Sequence, residues 1–345
     1  LEPIHKRRVI MDLSFSFIIP VYNRPNEIKE LLISLRLQTY GKTFEVVIVE
    51  DGSTISSEDV IGEYLDSVSI SYYKKPNSGP GDSRNYGMAR AKGNYFIVLD
   101  SDCILPPEYL KVVEESLKED FVHCYGGPDA AHESFTVVQK AINYSMTSFL
   151  TTGGIRGGKK AVNKFQPRSF NMGISKEAFE NVGGYGNMHP GEDPDLTIRI
   201  WNKGYRTKLI STAFVFHKRR IDWNKFYIQV NKFGMVRPIL NLWHPETKKI
   251  TYWFPTVFCI GLLISILLAI IGIKIPLYFY ATYILILFID ALSKTRSLKV
   301  AFLSLMATAI QFFGYGYGFL KSTLYINLSN KKPEEIFPKL FFRVN

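Results

Sequence analysis

Charge is missing from long parts of this chain. Residues 250–273 contain no Asp, Glu, Lys or Arg, and neither do residues 275–289 or 300–320. A membrane-crossing helix needs about 20 mostly apolar residues. These runs exclude a C-terminal third made only of water-facing helices, and they predict spans at about 253–273, 275–292 and 299–320. The middle span reaches 292 if Asp290 sits at the interface or faces the bundle. Cysteine is also scarce: Cys103, Cys124 and Cys259 have neither metal nor disulfide spacing. That excludes a disulfide scaffold and suits a reducing compartment. No apolar core follows Lys6, Arg7 and Arg8, so a signal peptide is not expected. Residues 1–14 are read as a leader or expression remnant, with Met11 as a native start. No nucleic-acid-binding motif accompanies the formal charge of +11. The excess is read as a collar on anionic lipid. Lys248 and Lys249 precede the first run, and Lys294, Arg296 and Lys299 lie between the second and third. By the positive-inside rule they place the preceding domain in the cytoplasm, at the inner membrane of a multi-pass protein. His5, His123, His132, His189 and His244 show no ligand spacing, although His189 lies near the acids of GEDPDL.

What the first two-thirds does contain is buried-looking strands alternating with helices. FSFIIPV (15–21), FEVVIVEDGS (44–53) and YFIVLDSD (95–102) are near-continuous apolar runs that end in Pro, Gly or acids. Helical spacing covers 26–38, and helices are also expected at 57–65 and 82–92, with a short strand at 70–73. The order predicts an α/β fold whose mostly parallel sheet has helices on both faces. Ligands of such sheets bind beyond the carboxyl ends of the strands. That rim would hold Pro20, Tyr22 and Asn23, Glu50 and Asp51, and Asp100 and Asp102. Further helices are expected from 176 to 181, ending at Gly183, and from 193 to 203, stopped by Gly204.

Two carboxylates one residue apart at a strand end either bind a hard divalent cation or do acid–base work. Arg84 opens a helix behind two glycines, where it either faces a pyrophosphate or is an ordinary helix residue. Glu192 and Asp193 precede a helix, which either caps its dipole or supplies a base.

PVYNRP, VEDGST, SRNYGMARAKGNYFIVLDSD, NMGISKEAFENVGGY and GEDPDLTIRI together resemble the family 2 glycosyltransferases of GT-A (Rossmann-like) fold, across roughly residues 15–237. The C-terminal spans are similar to those of bacterial single-addition enzymes of exopolysaccharide or O-antigen assembly. The resemblance implies that Pro20, Tyr22 and Asn23 line the base and ribose site and that Asp51 bonds the base. Glu50 stands where the family usually has Asp. It further implies Arg84 at the nucleotide or its pyrophosphate, Asp100 beside the ribose or sugar, and Asp102 on Mn²⁺ or Mg²⁺. Asp193 is expected as general base, with Glu192 as its neighbour. His217 is a third metal ligand, a phosphate contact or a surface residue. Asn171 resembles the acceptor-side strand. Gln229, Lys232 and Phe233 form a degenerate Q-x-x-R-W motif, which argues against processive polymerisation, and Arg219, Arg220 and Arg237 sit close to the membrane beside them.

The expected enzyme is an inverting hexosyltransferase. It takes a sugar from a nucleotide-diphosphate donor, a UDP-sugar, and passes it to a hydroxyl of a polyprenyl-diphosphate-linked saccharide. The alternatives are a polyprenyl-phosphate sugar transferase, a processive synthase, and a non-catalytic sugar-nucleotide-binding scaffold. The domain plan is a catalytic unit at 15–237, a juxtamembrane linker at 238–252, spans within 253–320, and a tail at 321–345. The tail is interfacial or, after three full spans, on the far side, and FGYGYGF is a candidate re-entrant stretch.

Overall fold

The structure is a computed structural model that describes residues 12–130, 135–153, 165–217 and 222–342. His5, His132, Arg219 and Arg220 lie outside the described residues, as does most of the leader.

Strands β1 (Phe15–Val21), β2 (Glu45–Asp51), β3 (Ile70–Lys75) and β4 (Tyr95–Leu99) are joined by helices α1 (Pro25–Arg36), α2 (Glu58–Gly62) and α3 (Pro80–Arg90). There follow β5 (Cys103–Ile104), α4 (Tyr109–Glu119), β6 (Cys124–Gly126), β7 (Asp129–Ala130), α5 (Val137–Thr147) and α6 (Phe149–Thr152). Next come β8 (Asn171–Ser175), α7 (Lys176–Val182), α8 (Glu192–Asn202), β9 (Thr207–Leu209) and β10 (Val215–His217). The chain then becomes helical, with α9 (Trp223–Trp243), α10 (Phe254–Ile270), α11 (Ile275–Thr295), α12 (Leu298–Leu328) and the single turn α13 (Pro333–Ile336).

The main sheet has the order β3-β2-β1-β4-β8-β6-β9. β1 to β4 are mutually parallel, whereas β8 runs antiparallel to both β4 and β6. β1, β2 and β4 are buried on both faces, which explains their near-continuous apolar runs, whereas the edge strand β3 is only half-buried. One face packs on α1 and α4 through Phe17, Ile19, Leu31 and Leu110; the other packs on α3 and α8 through Ile18, Val49, Met88 and Leu196. Gly87 is needed for that second contact, because a Cβ there would lie 2.9 Å from Ile18 Cγ2. A second, three-stranded sheet, β5-β10-β7, sits above the carboxyl end of β4.

Three helices are long and apolar enough to cross a membrane: Ile250–Ile270, Ile275–Thr295 and Leu298–Leu328. The FGYGYGF stretch is not re-entrant. It lies inside the continuous α12, where its glycines allow close packing: a Cβ on Gly318 would come within 2.3 Å of the Asn231 carbonyl oxygen. The partner is α9, whose Gly234 approaches the Tyr315 carbonyl in the same way. The expected boundary at 237 therefore falls inside one helix, α9.

Candidate active site

Strand ends and one cross-strand pairing assemble the acids. Asp100 and Asp102 leave β4 on a turn in which the Cys103 N–H donates to the Asp100 carbonyl at 3.1 Å. β5 begins immediately and pairs antiparallel with β10, in the register His217 opposite Cys103. That register carries His217, more than a hundred residues away in sequence, to the acid pair. Its Nε2 lies 3.2 Å from Asp102 Oδ1 and 3.8 Å from Asp100 Oδ2. Its ring stacks on Phe170, with centroids 4.8 Å apart and planes 14° apart. Arg24, which lies within PVYNRP but had no expected role there, donates to the other oxygen of Asp102. Asp102 is buried, which favours its neutral form, yet His217 and Arg24 outweigh burial and hold its pKa well below the usual carboxylate range.

Arg84 lies in the first half of α3 and is 3% exposed. Its Nη2 donates to Asp100 at 2.8 Å and its Nη1 to Glu192 at 3.2 Å, above the ring of Tyr185. It thus ties the β4 end to the start of α8, and its guanidinium is committed to protein carboxylates. Glu192 also accepts from or pairs with His189 Nδ1 at 2.8 Å. Burial alone would raise Glu192, but His189 and Arg84 pull it down to about 2. Asp193 goes the other way. Burial, followed by the charge of Glu192, pushes it up to about 6, despite Arg84 and Arg168. Its Oδ1 is buried with no hydrogen-bond partner among the described residues. An ionised neighbour beside an acid poised near neutrality is the arrangement a general base requires.

Asp51 is 3% exposed, and its carboxylate is already occupied. It accepts from Lys75 Nζ at 2.9 Å, the Ser78 N–H at 2.9 Å and the Gly79 N–H at 3.0 Å. It shapes the turn at 77–79 that opens α3. Glu50 faces the opposite side of the sheet and is held by the Ser57 N–H and the Tyr72 hydroxyl.

A cleft of about 2550 Å³ gathers most of the expected residues: Pro20, Tyr22, Asp51, Arg84, Asp100, Asp102, Glu192, Asp193 and His217. It continues past Arg168 to Gln229, Lys232, Phe233 and Arg237 on α9. Two expected residues do not face it. The Asn23 side chain accepts from the Thr54 and Ile55 N–H groups, so it braces the loop after β2. Asn171 is fully buried, accepting from the Tyr109 hydroxyl at 2.5 Å and donating to the Ala213 carbonyl at 2.8 Å. Its register opposite Leu99 of β4, a core residue, turns the amide into the core and out of the cleft.

The residues fit a divalent cation. One oxygen of Asp102, the Cys103 sulfur and a nitrogen of His217 lie within 4.8 Å of one another. Burial raises the Cys103 thiol well above its ordinary value, and the thiol donates to the Phe170 carbonyl, so it is not a ligand. A carboxylate and an imidazole remain, a donor set compatible with Mn²⁺ that leaves positions for phosphate oxygens.

Comparison with known proteins agrees with this architecture. The family model for glycosyl transferase family 2 matches residues 16–183. An uncharacterized glycosyltransferase of Haemophilus influenzae is 30% identical over 218 residues, covering 59% of this chain and 69% of its own. Glycosyltransferase GlyA of Streptococcus pneumoniae is 33% identical over 220 residues, 63% of this chain and 27% of its own. An uncharacterized glycosyltransferase of Rickettsia conorii matches at 35% over 114 residues, and this chain spans only 19% of its length. Among solved structures, residues 1–349 of S. aureus TarS superpose with a TM-score of 0.52 at 18% identity, covering 92% of each chain. A Pyrobaculum calidifontis mannosyltransferase, PcManGT, solved with GDP-Man and Mn²⁺, superposes at 0.57 with 15% identity, over 91% of this chain and 88% of its own. By its matching family model, its relatives and its GT-A architecture, the chain belongs to glycosyl transferase family 2.

Proposed function

We propose that this glycosyltransferase moves a sugar from a nucleotide diphosphate, a UDP-sugar, to a hydroxyl of a membrane-associated acceptor, with inversion and with a divalent cation on Asp102 and His217. One observation carries the reading: an acid held ionised (Asp102) and an acid poised near pH 6 (Asp193) face one cleft, bracketed by Arg84. The donor diphosphate would lie toward Asp102 and the base near the Asp51 turn and Tyr22. Asp193 takes the proton from the acceptor hydroxyl while that oxygen attacks the anomeric carbon, and the bond from that carbon to the diphosphate oxygen breaks. A single displacement of this kind inverts the anomeric centre. A cation at Asp102 and His217 would offset negative charge on the departing diphosphate. PcManGT binding GDP-Man and Mn²⁺ supports a metal-bound nucleotide sugar here. The acceptor end of the cleft runs to Arg168, Lys232 and Arg237, beside the apolar Phe254 and Pro255, which suits a lipid-linked diphosphate saccharide.

A thermal-shift screen of the full chain with nucleoside diphosphates and sugar nucleotides, with and without Mn²⁺, tests the donor half. Stabilisation by a UDP-sugar that grows with Mn²⁺ is expected. A response to no sugar nucleotide rules the donor reading out. Product analysis with a hydroxyl-bearing lipid-linked acceptor tests the remainder.

A further inference from the structure

We propose that the chain crosses the bilayer twice, through α10 and α11, and that α12 lies along the membrane surface and returns the C-terminal segment to the catalytic side. This rests on reading the α10–α11 hairpin as the membrane anchor.

Both ends of the hairpin are fastened to the catalytic part of the molecule. Where α10 begins, Arg237 of α9 donates to Thr247 at 3.2 Å and covers the ring of Tyr252 at 4.6 Å. Where α11 ends, Tyr144 of α5 donates to Asp290 at 2.6 Å. Between these points α10 and α11 pack mainly on each other and on α12, and only 11% of the most apolar window of each is buried. Their outward side chains, among them Leu263, Ile266, Phe279 and Ile286, are exposed. Two crossings, over the spans Ile250–Ile270 and Ile275–Thr295 of 21 residues each, suit a hydrocarbon layer about 30 Å thick.

α12 differs. It starts one turn after α11, on the catalytic side, and runs about 46 Å at 1.5 Å per residue. It packs against α5 and then along α9 through Gly314 and Gly318, and Asn231 of α9 donates to the Gly314 carbonyl at 3.0 Å. Apart from Tyr325, its exposed large apolar residues, Leu298, Phe302, Met306, Phe313, Tyr317, Leu324 and Leu328, recur at intervals of four and seven. They form one stripe, as expected of a helix with one face on protein and the other on lipid headgroups. Beyond its end the chain reaches the loop before the acids of α8. The Phe342 N–H donates to the Asn187 carbonyl at 3.0 Å and the His189 N–H to the Leu340 carbonyl at 2.8 Å. Phe337 and Leu340 are buried with Met188, Val236, Ile239 and Leu240. A segment docked beside the catalytic acids cannot lie across a bilayer from them. The charges agree: Lys248, Lys249, Lys294, Arg296, Lys299, Lys331 and Lys332 flank the hairpin base or the tail, while the tip has Lys274.

The test uses the full-length protein in membrane vesicles of both orientations, with Cys259→Ser as background and one added cysteine at an exposed site: Asp59→Cys, Lys274→Cys or Asn330→Cys. A membrane-impermeant maleimide is expected to label Asp59→Cys and Asn330→Cys from one side and Lys274→Cys from the other, with loss of label when the orientation is reversed. Labelling of Asn330→Cys together with Lys274→Cys means three crossings and overturns the proposal, while leaving the hairpin as an anchor. Labelling of all three from one side means that nothing crosses, and it overturns both the proposal and the anchor. Retention of transferase activity by each variant shows that its label reports on the folded protein.

Discussion

Replacing Asp193 by Asn separates function from stability at one residue. Burial and Glu192 raise the Asp193 pKa from 3.8 to about 6. A carboxyl whose folded pKa is raised holds its proton in the native state at pH values where the unfolded chain has lost it. Native stability therefore falls as pH rises between about 4 and 6, and the full penalty is present above that window. Roughly two pK units at 1.36 kcal/mol each give about 3 kcal/mol, or about 2 kcal/mol once partial exposure to the cleft is allowed for. The neutral Asn is free of this penalty. D193N should therefore unfold at a higher temperature than the parent by roughly 6 °C at pH 8, with the gap reduced to roughly a third of that at pH 4.5. Donor binding should survive, and transfer to a hydroxyl should fall at least a hundredfold, the scale of a lost general base. The assays are thermal unfolding of the solubilised full chain at several pH values, donor titration calorimetry and product formation. A Tm gap that does not widen with pH, or undiminished transfer by D193N, refutes the role assigned to Asp193. Undiminished transfer to a lipid phosphate alone would mark an acceptor that needs no base.

The wild-type rate should fall as pH drops below about 6, following Asp193, when kcat/KM is measured across pH. Asp102→Ala, or chelation of divalent ions, should abolish Mn²⁺-dependent donor binding in calorimetry. Arg24→Ala should lower the Mn²⁺ concentration for half-maximal activity by about tenfold, since that guanidinium competes for the same carboxylate (about 1.4 kcal/mol). Gly234→Leu should destabilise the protein by about 3 kcal/mol in thermal unfolding, because its Cβ would lie 2.2 Å from the Tyr315 carbonyl. Cutting the chain at 250 would bare Val236, Ile239 and Leu240, and the fragment should aggregate on size-exclusion chromatography instead of slowly hydrolysing donor.

The centre of the parallel half of the sheet was legible because β1, β2 and β4 are buried on both sides and end in turn residues and acids. β1, β2, α3 and β4 lie within a few residues of where apolar runs and glycines put them. The acids at 100, 102, 192 and 193 were legible for the same reason: each closes or opens an element. Other features depend on pairings distant in sequence. Arg24 reaches Asp102 only because β1 and β4 are neighbours, and Asn171 turns inward because β8 pairs it opposite Leu99. Asp51 looked free for a base, yet Lys75 and the 78–79 amides already surround it. The fate of the glycines in α12 required knowing that α9 lies alongside. A run of uncharged residues specifies an apolar helix but not its angle to the bilayer.

The docked tail has a consequence for how the enzyme matures. Phe342 rests on Gly79, at the mouth of the turn that Asp51 organises, and lines the cleft. That wall is synthesised after the hairpin, so a nascent chain holds Asp102, Glu192 and Asp193 long before the cleft beside them is closed. Productive sugar transfer would then wait until the greasy hairpin has entered lipid and the polypeptide has doubled back, making membrane insertion a late checkpoint on activity.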